Sequence, residues 1–418
     1  MDPLANPFAP GAGTQPPELA GRDEVLRSAT TAFARIKAGR AAKSQMLLGL
    51  RGVGKTVLLN RLAEIAEDQG FLPVMLEAPE DRRLAEMLVP PLRQHLFKLS
   101  RREGAKDLAR RGLGVLRSFA QAFQVTVGDV AFSVQPELGT ADSGSLEADL
   151  PEVLVATTEA AKATDLGIAL FIDEVQYLAL PDLAALIASA HKLAQKNLPF
   201  VLIGAGLPQL AALAGEAKSY AERLFDYPRI DALPSAEARK AIVVPIEREG
   251  ATIDPDAVDF IIQTTQGYPY FLQEWGYRAW DRAEVSPITL ADTANARLDT
   301  LRALDASFFR VRFDRMTPRE KDYVRAMAEL GPGPHRSGEV AQAVGMEVQS
   351  AAPLRSGLIK KGMIYSPQHG DTAFTVPMFD DFLKREMPSQ AISPPRLKGK
   401  TMKGKTKPHA KKRGAKRA

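Results

Sequence analysis

The residues best suited to chemistry lie in the stretch GLRGVGKT, Gly49 to Thr56, which satisfies G-x-x-x-x-G-K-[ST]. Glycines let such a loop curl until its N–H groups point inward at phosphate oxygens. A short apolar strand, SQMLLG, precedes it, and a helix begins at Lys55 and Thr56, adding the partial positive charge of a helix N-terminus. The run Gly49, Leu50, Arg51, Gly52, Val53, Gly54, Lys55, Thr56 and Val57 is therefore expected to seat the triphosphate of ATP. Lys55 would bridge the β- and γ-phosphates, and Thr56 would turn its hydroxyl to Mg2+.

A phosphate cradle of this kind needs a carboxylate for the metal at the end of another strand. The segment IALFIDE supplies one: five apolar residues bury a strand, and Asp173 and Glu174 emerge at its C-terminal edge, where ligands sit in parallel sheets. Asp173 is expected to hold the Mg2+ shell and Glu174 to polarise an attacking water.

The elements that must position these groups follow from pattern. LPVMLEA, LGIALFIDE and LPFVLIGAG read as buried strands. TVLLNRLAEIAEDQG, LPEVLVATTEAAKATD and LPDLAALIASAHKLAQK read as helices between them, as does most of 84–123. The alternation predicts an α/β fold with a parallel sheet and right-handed crossovers. QVTVGDVAFSVQP alternates and suggests a hairpin. Residues 235–300 are helical in pattern and carry both tryptophans, Trp275 and Trp280. TPRE offers a capping Thr317, Pro318 at the first helical position and Glu320 three residues past the cap. Three short helices are expected near 318–330, 337–344 and 351–361, then the extended pair GMIYSP and TAFTVP joined by QHGD.

Composition narrows the chemistry. The 418 residues contain no cysteine, which excludes disulfides, thiol catalysis, zinc fingers and iron–sulfur clusters and fits a reducing, cytoplasmic setting. The five histidines have no metal-ligand spacing. Neither a signal peptide nor a membrane span is expected. The net charge of +5 belongs to the tail: Arg396 to Ala418 holds 11 Lys/Arg and no acid, leaving 44 Lys/Arg against 50 Asp/Glu before it.

With these motifs in order (AGRDEVL, GLRGVGKT, LFIDEVQYL, VLIGAGLP, YAERLF, GYPYFLQEWG), the chain resembles the AAA+ superfamily near its Orc1/Cdc6-like, archaeal or STAND-type branch. The resemblance covers about residues 20–385. It implies a P-loop NTPase three-layer αβα sheet of order 5-1-4-3-2, a helical lid, and nucleotide bound between core and lid. Gly21 and Arg22 match a segment that packs near the adenine in relatives. A polar sensor ends the fourth strand in the family; this chain has Gly204-Ala205-Gly206 there, with Gln209 the nearest polar residue, so the sensor is either Gln209 or absent. Arg223 is the candidate arginine finger, often supplied by a neighbouring subunit. Tyr270 falls where the lid normally carries a sensor arginine, which implies slow hydrolysis and nucleotide state used as a signal.

The implied organisation is a disordered N-terminus (1–18), an AAA+ core (19–232), a helical lid (233–312), a winged helix (313–386) and a disordered basic tail (387–418). In the winged helix, Ala351–Lys361 would face DNA with Arg355, Lys360 and Lys361, and His335 and Arg336 would sit in the preceding turn. The tail would collect phosphates without reading sequence. Two functions fit. One is an ATPase that couples slow Mg2+-dependent hydrolysis to double-stranded DNA, a partner protein or a homo-oligomer; the other is a STAND-like switch acting through protein partners alone.

Overall fold

Five apolar runs form one parallel sheet: β1 (Ser44–Leu48), β2 (Phe71–Glu77), β3 (Gly167–Asp173), β4 (Phe200–Gly206) and β5 (Phe225–Asp226). Their order is β2-β3-β4-β1-β5, the expected order read from the other edge. The computed structural model describes residues 1–11, 13–78, 82–125 and 134–388. Every residue of β3 and β4 is buried, as strands covered on both faces must be. Side chains of β3 alternate between two cores. Ala169 and Phe171 join the layer containing Asp23–Lys37 and Lys55–Asp68. Ile168, Leu170 and Ile172 join the layer of Leu84–Leu99, Lys106–Ala122, Leu146–Lys162 and Leu180–Gln195.

In this order β4 lies between the strand feeding the phosphate loop and the strand ending in Asp173. With neighbouring strands about 4.8 Å apart, the two functional ends are about 10 Å apart, close enough for side chains to bridge. Gly204 leaves room for its cross-strand neighbour: a Cβ there would lie 2.5 Å from the Met46 sulfur.

Beyond β5 follow helices Ser235–Arg248, Pro255–Thr265, Pro269–Arg282 and Leu290–Ala303. The last continues through a π-helical stretch, Leu304–Phe309, into Arg310–Asp314. The expected boundary at 312/313 thus falls inside a helical run. Next come Pro318–Glu329, Ser337–Val344 and Val348–Lys360, an antiparallel sheet of β6 (His335–Arg336), β7 (Ile364–Tyr365) and β8 (Asp371–Phe374) in the order β6-β8-β7, and a closing helix, Phe379–Glu386. Thr317 caps its helix as TPRE predicts: the backbone N–H of Thr317 donates to the Glu320 carboxylate at 2.7 Å, and the N–H of Glu320 to the Thr317 hydroxyl at 3.4 Å.

Two expectations change. His335 and Arg336 form a third strand rather than a turn, because two residues are too few to display a period of two. Residues 1–8, within the segment expected to be disordered, pack on helix Pro269–Arg282. Phe8 is 3% exposed and packs on Gly276, whose absent Cβ would sit 2.6 Å from the Phe8 ring. Trp280 donates its indole N–H to Asp2 O at 2.9 Å, and Asn6 donates to Tyr277 O at 3.0 Å and Asp281 Oδ1 at 2.9 Å. The Pro/Gly-rich composition has no periodicity of its own, and order is imposed by the surface of Pro269–Arg282. The expected hairpin falls largely on 126–133, and the basic tail on 389–418; both lie outside the described residues.

Candidate nucleotide site

The loop between β1 and helix Lys55–Asp68 needs its glycines where the sequence puts them. Gly52 and Gly54 have φ of +83° and +91°, left-handed values that favour glycine, and a Cβ on Gly49 would lie 2.3 Å from Ile230 O. The resulting cradle opens onto a cavity of about 430 Å³, within the range of small-molecule sites.

Lys55 is 6% exposed and donates to Gly49 O at 3.0 Å and Leu50 O at 2.9 Å. An ammonium has three donors, so one remains for the cavity. Burial pulls the Lys55 pKa below its ordinary value, against the attraction of Glu174 and Asp173. An anion in the cradle would relieve that cost.

Thr56 and Asp173 meet across β4, the hydroxyl donating to Asp173 Oδ2 at 2.5 Å. Burial raises the Asp173 pKa above the usual carboxylate range; the Thr56 hydrogen bond opposes this and neighbouring Glu174 adds to it. A hydroxyl and a buried, charge-starved carboxylate at hydrogen-bond distance fit the hard-oxygen donor set that Mg2+ takes beside phosphates. No group of three or more His, Asp or Glu able to hold a metal occurs among the described residues, so any Mg2+ would share its shell with phosphate and water.

Glu174 lines the cavity in a left-handed backbone conformation, φ +53°, which costs a non-glycine residue about 1–2 kcal/mol. Its carboxylate accepts from the Gln176 side-chain amide, while Gln176 Oε1 accepts from the backbone N–H of Leu207 at 3.0 Å, just past β4. Gln209, the nearest polar candidate for the sensor, does not line the cavity. The end of β4 is instead occupied by Gln176.

Of the other expected residues, Arg22 is 7% exposed, lines the cavity, and donates to Val53 O at 3.1 Å and Asp231 O at 2.8 Å. Gly21 does not line the cavity; its φ of +67° turns the chain so that Arg22 does. Tyr270 lines the cavity, stacks on Phe308 with centroids 4.6 Å apart, and donates its N–H to Gly52 O at 3.2 Å, tying the lid to the phosphate loop. Leu50 packs at the core edge and does not line the cavity, whereas Arg51, Gly52, Val53, Gly54, Lys55, Thr56 and Val57 do. Arg223 is exposed on the short helix Ala221–Leu224 and does not line the cavity of its own chain.

Sequence reasoning missed three contributions. The N-terminal segment walls the cavity with Ala9, Pro10, Gly13 and Thr14, and a Cβ on Gly13 would come within 3.7 Å of the Thr56 methyl. Gln176 had a signal only in lying two residues past the glutamate. Arg312, which also lines the cavity, had none.

Comparison with known proteins agrees with this geometry. The AAA ATPase domain family matches residues 18–203, and a family described as a domain of unknown function matches 306–383. No curated protein matches the sequence. Among solved structures, a Walker-type ATPase of Pyrococcus abyssi aligns at 16% identity with a TM-score of 0.56, covering 89% of this chain and 97% of that one. The Aeropyrum pernix ORC2 protein, solved as ADPNP–ADP complexes, aligns at 13% identity and a TM-score of 0.50, covering 91% and 98%. No helix among the described residues is long and apolar enough to cross a membrane. Residues 18–203 are thus similar to the AAA ATPase domain family, and the chain shares its fold with the Walker-type ATPase of Pyrococcus abyssi and the Aeropyrum pernix ORC2 protein.

Proposed function

We propose that the chain binds ATP with Mg2+ in this cavity, hydrolyses it slowly, and uses the nucleotide state to set how its C-terminal module engages DNA or a partner. The observation that carries this reading is the Thr56–Asp173 contact, which joins the phosphate loop to the acidic strand end at 2.5 Å. Thr56 and Asp173 would hold Mg2+, which when bound neutralises charge on the β- and γ-phosphates. Lys55 and the N–H groups of the loop hold the phosphates, and Glu174 orients a water in line with the γ-phosphate. Tyr270 in place of a lid arginine supports slow turnover. Arg223 would act only from a neighbouring copy. The lack of cysteine supports a reducing, cytoplasmic setting.

The test is phosphate release together with ATP binding. Lys55→Ala should lose both, whereas Glu174→Gln should keep binding and lose turnover by about 100-fold. A wild type that releases no more phosphate than Glu174→Gln would leave a scaffold without catalysis.

We further read residues 313–386 as a winged helix, and here a specific observation favours a protein-partner switch over DNA readout by this module. Arg355 donates to Thr372 Oγ1 at 2.9 Å, Ser366 Oγ at 2.9 Å and Asp371 O at 2.8 Å. Lys361 pairs with Glu320 at 2.7 Å and Arg336 with Asp371 at 3.3 Å. Two of the three helix cations expected to meet phosphates, Arg355 and Lys361, are thus engaged within the module while Lys360 stays exposed, which shifts the weight of DNA contact to the basic tail.

A further inference from the structure

Resting on the nucleotide reading above, we infer that Arg312 contacts the γ-phosphate of ATP from within its own chain, so that the C-terminal module reads which nucleotide is bound.

Arg312 lies in helix Arg310–Asp314, inside the segment matched by the family of unknown function, yet it lines the cavity together with Arg51, Lys55 and Glu174. Its guanidinium carbon sits 3.9 Å over the Phe308 ring, and one terminal nitrogen donates to Phe308 O. That leaves Nε buried with no protein partner, and the Nε of Arg51 is in the same condition. Arg51 otherwise reaches the Tyr177 hydroxyl through a terminal nitrogen. Burial and the repulsion of Arg51 hold the Arg312 pKa down to about 10, against partial compensation from Tyr268, Tyr270 and Glu174.

Four cations thus line one cavity: Arg22, which donates to Val53 O and Asp231 O, and Lys55, Arg51 and Arg312. Of the two carboxylates beside them, Asp173 accepts from Thr56 and Glu174 from Gln176. Like charges gathered in a low-dielectric site are costly unless an anion joins them. A triphosphate is such an anion, and a guanidinium suits its oxygens because it donates in a planar fork. Arg312 shares the cavity lining with Lys55, Arg51 and Glu174, the residues of its phosphate end. ADP lacks the group that this end would hold.

The position is tied directly to the rest of the module. Arg310 makes two bonds of 2.6 Å to the Glu386 carboxylate, and Phe309 stacks on Phe382 and Phe379 at 5.3 and 5.8 Å. A shift of Arg312 toward a phosphate would therefore be felt by the closing helix Phe379–Glu386.

The experiment is calorimetric titration of the full chain with ATP and with ADP, each with Mg2+, for wild type, Arg312→Met, Arg312→Lys and Lys55→Ala. Methionine keeps the length and apolar packing, and circular dichroism checks the fold. Arg312→Met should weaken ATP by about 10- to 100-fold while changing ADP by less than about threefold, the scale of one charged hydrogen bond. Arg312→Lys should recover part of the loss. Equal weakening of ATP and ADP, or no change in either, overturns the inference while Lys55→Ala still reports a nucleotide site. A wild type that binds neither nucleotide overturns the underlying reading and the inference with it.

Discussion

The side chain of Gln176 occupies the space a Cβ on Gly206 would take: that atom would stand 2.5 Å from Gln176 Oε1. The glycine at the end of β4 is what allows Gln176 to reach Leu207 N with one end of its amide and the Glu174 carboxylate with the other. Glu174 Oε2 is thereby held by the Gln176 amide. Gln176→Ala should lower kcat by about tenfold with ATP affinity unchanged, since the group acts on the orientation of Glu174 and not on phosphate binding. Gly206→Ala should do the same by displacing the amide. A parallel rise in the ATP dissociation constant would show that both changes disturb the cradle instead.

Asp173, as the proposed Mg2+ holder, should make metal binding pH-dependent. Its pKa is raised in the free protein, chiefly by burial, and a metal needs the charged form. Below that raised pKa a proton must leave before the metal binds, so Mg2+·ATP affinity should fall by about tenfold per pH unit on the acid side and level off above it. The same shift makes the folded state bind this proton more tightly than the unfolded chain does. Asp173 therefore contributes less stability as pH rises from the ordinary carboxylate value through the raised one. Calorimetry in buffers of different ionisation heat reads the released proton; Asp173→Asn should abolish the release.

The N-terminal strap should hold nucleotide as well as fold. Phe8→Ala removes a ring that is 3% exposed, a change that costs about 3–5 kcal/mol in a well-packed core. Because Phe8 anchors a terminal segment, the expected result is release of residues 1–18 rather than global unfolding. Gly276→Ala, with a Cβ 2.6 Å from that ring, should act alike. Hydrogen exchange would show the segment deprotected, and ATP dissociation should speed up several-fold because Ala9 to Thr14 no longer wall the cavity. Unchanged dissociation would confine the strap to a structural role.

Duplex binding separates the tail from the module. Truncation after residue 388 should abolish salt-sensitive retention of random duplex, since the tail carries 11 Lys/Arg between Arg396 and Ala418. Lys360→Ala in the full chain should leave it intact. Arg355→Ala should instead lower the melting temperature, because it strips partners from Thr372, Ser366 and Asp371 O. Retention that survives truncation would return DNA contact to the module.

The sheet and the phosphate loop were legible because each is a local signal. A run of apolar residues, glycines at fixed spacing and a Lys-Thr pair opening a helix can be read in a dozen residues. Gln176, Arg312 and the strap could not be read this way. Gln176 depends on a glycine thirty residues later, and Arg312 reaches the cavity from a helix more than 250 residues past the loop it serves. Phe8 is one apolar residue in a stretch without period, buried only because Gly276 leaves room for it.

By itself, then, the sequence determined that a phosphate cradle follows one buried strand, that an Asp-Glu pair ends another, and that strands and helices alternate between them. These are properties of short segments, set by side-chain volume, backbone freedom and periodicity. The tertiary structure alone decided which groups gather at the candidate site: the insertion of β4 between the strand that feeds the loop and the strand that ends in Asp173, the Gln176 amide at Glu174, and Arg312 in the cavity wall; it also turned Arg355 and Lys361 onto partners in their own module. Those choices depend on distances between residues far apart in the chain, fixed only once the two cores have packed against the sheet.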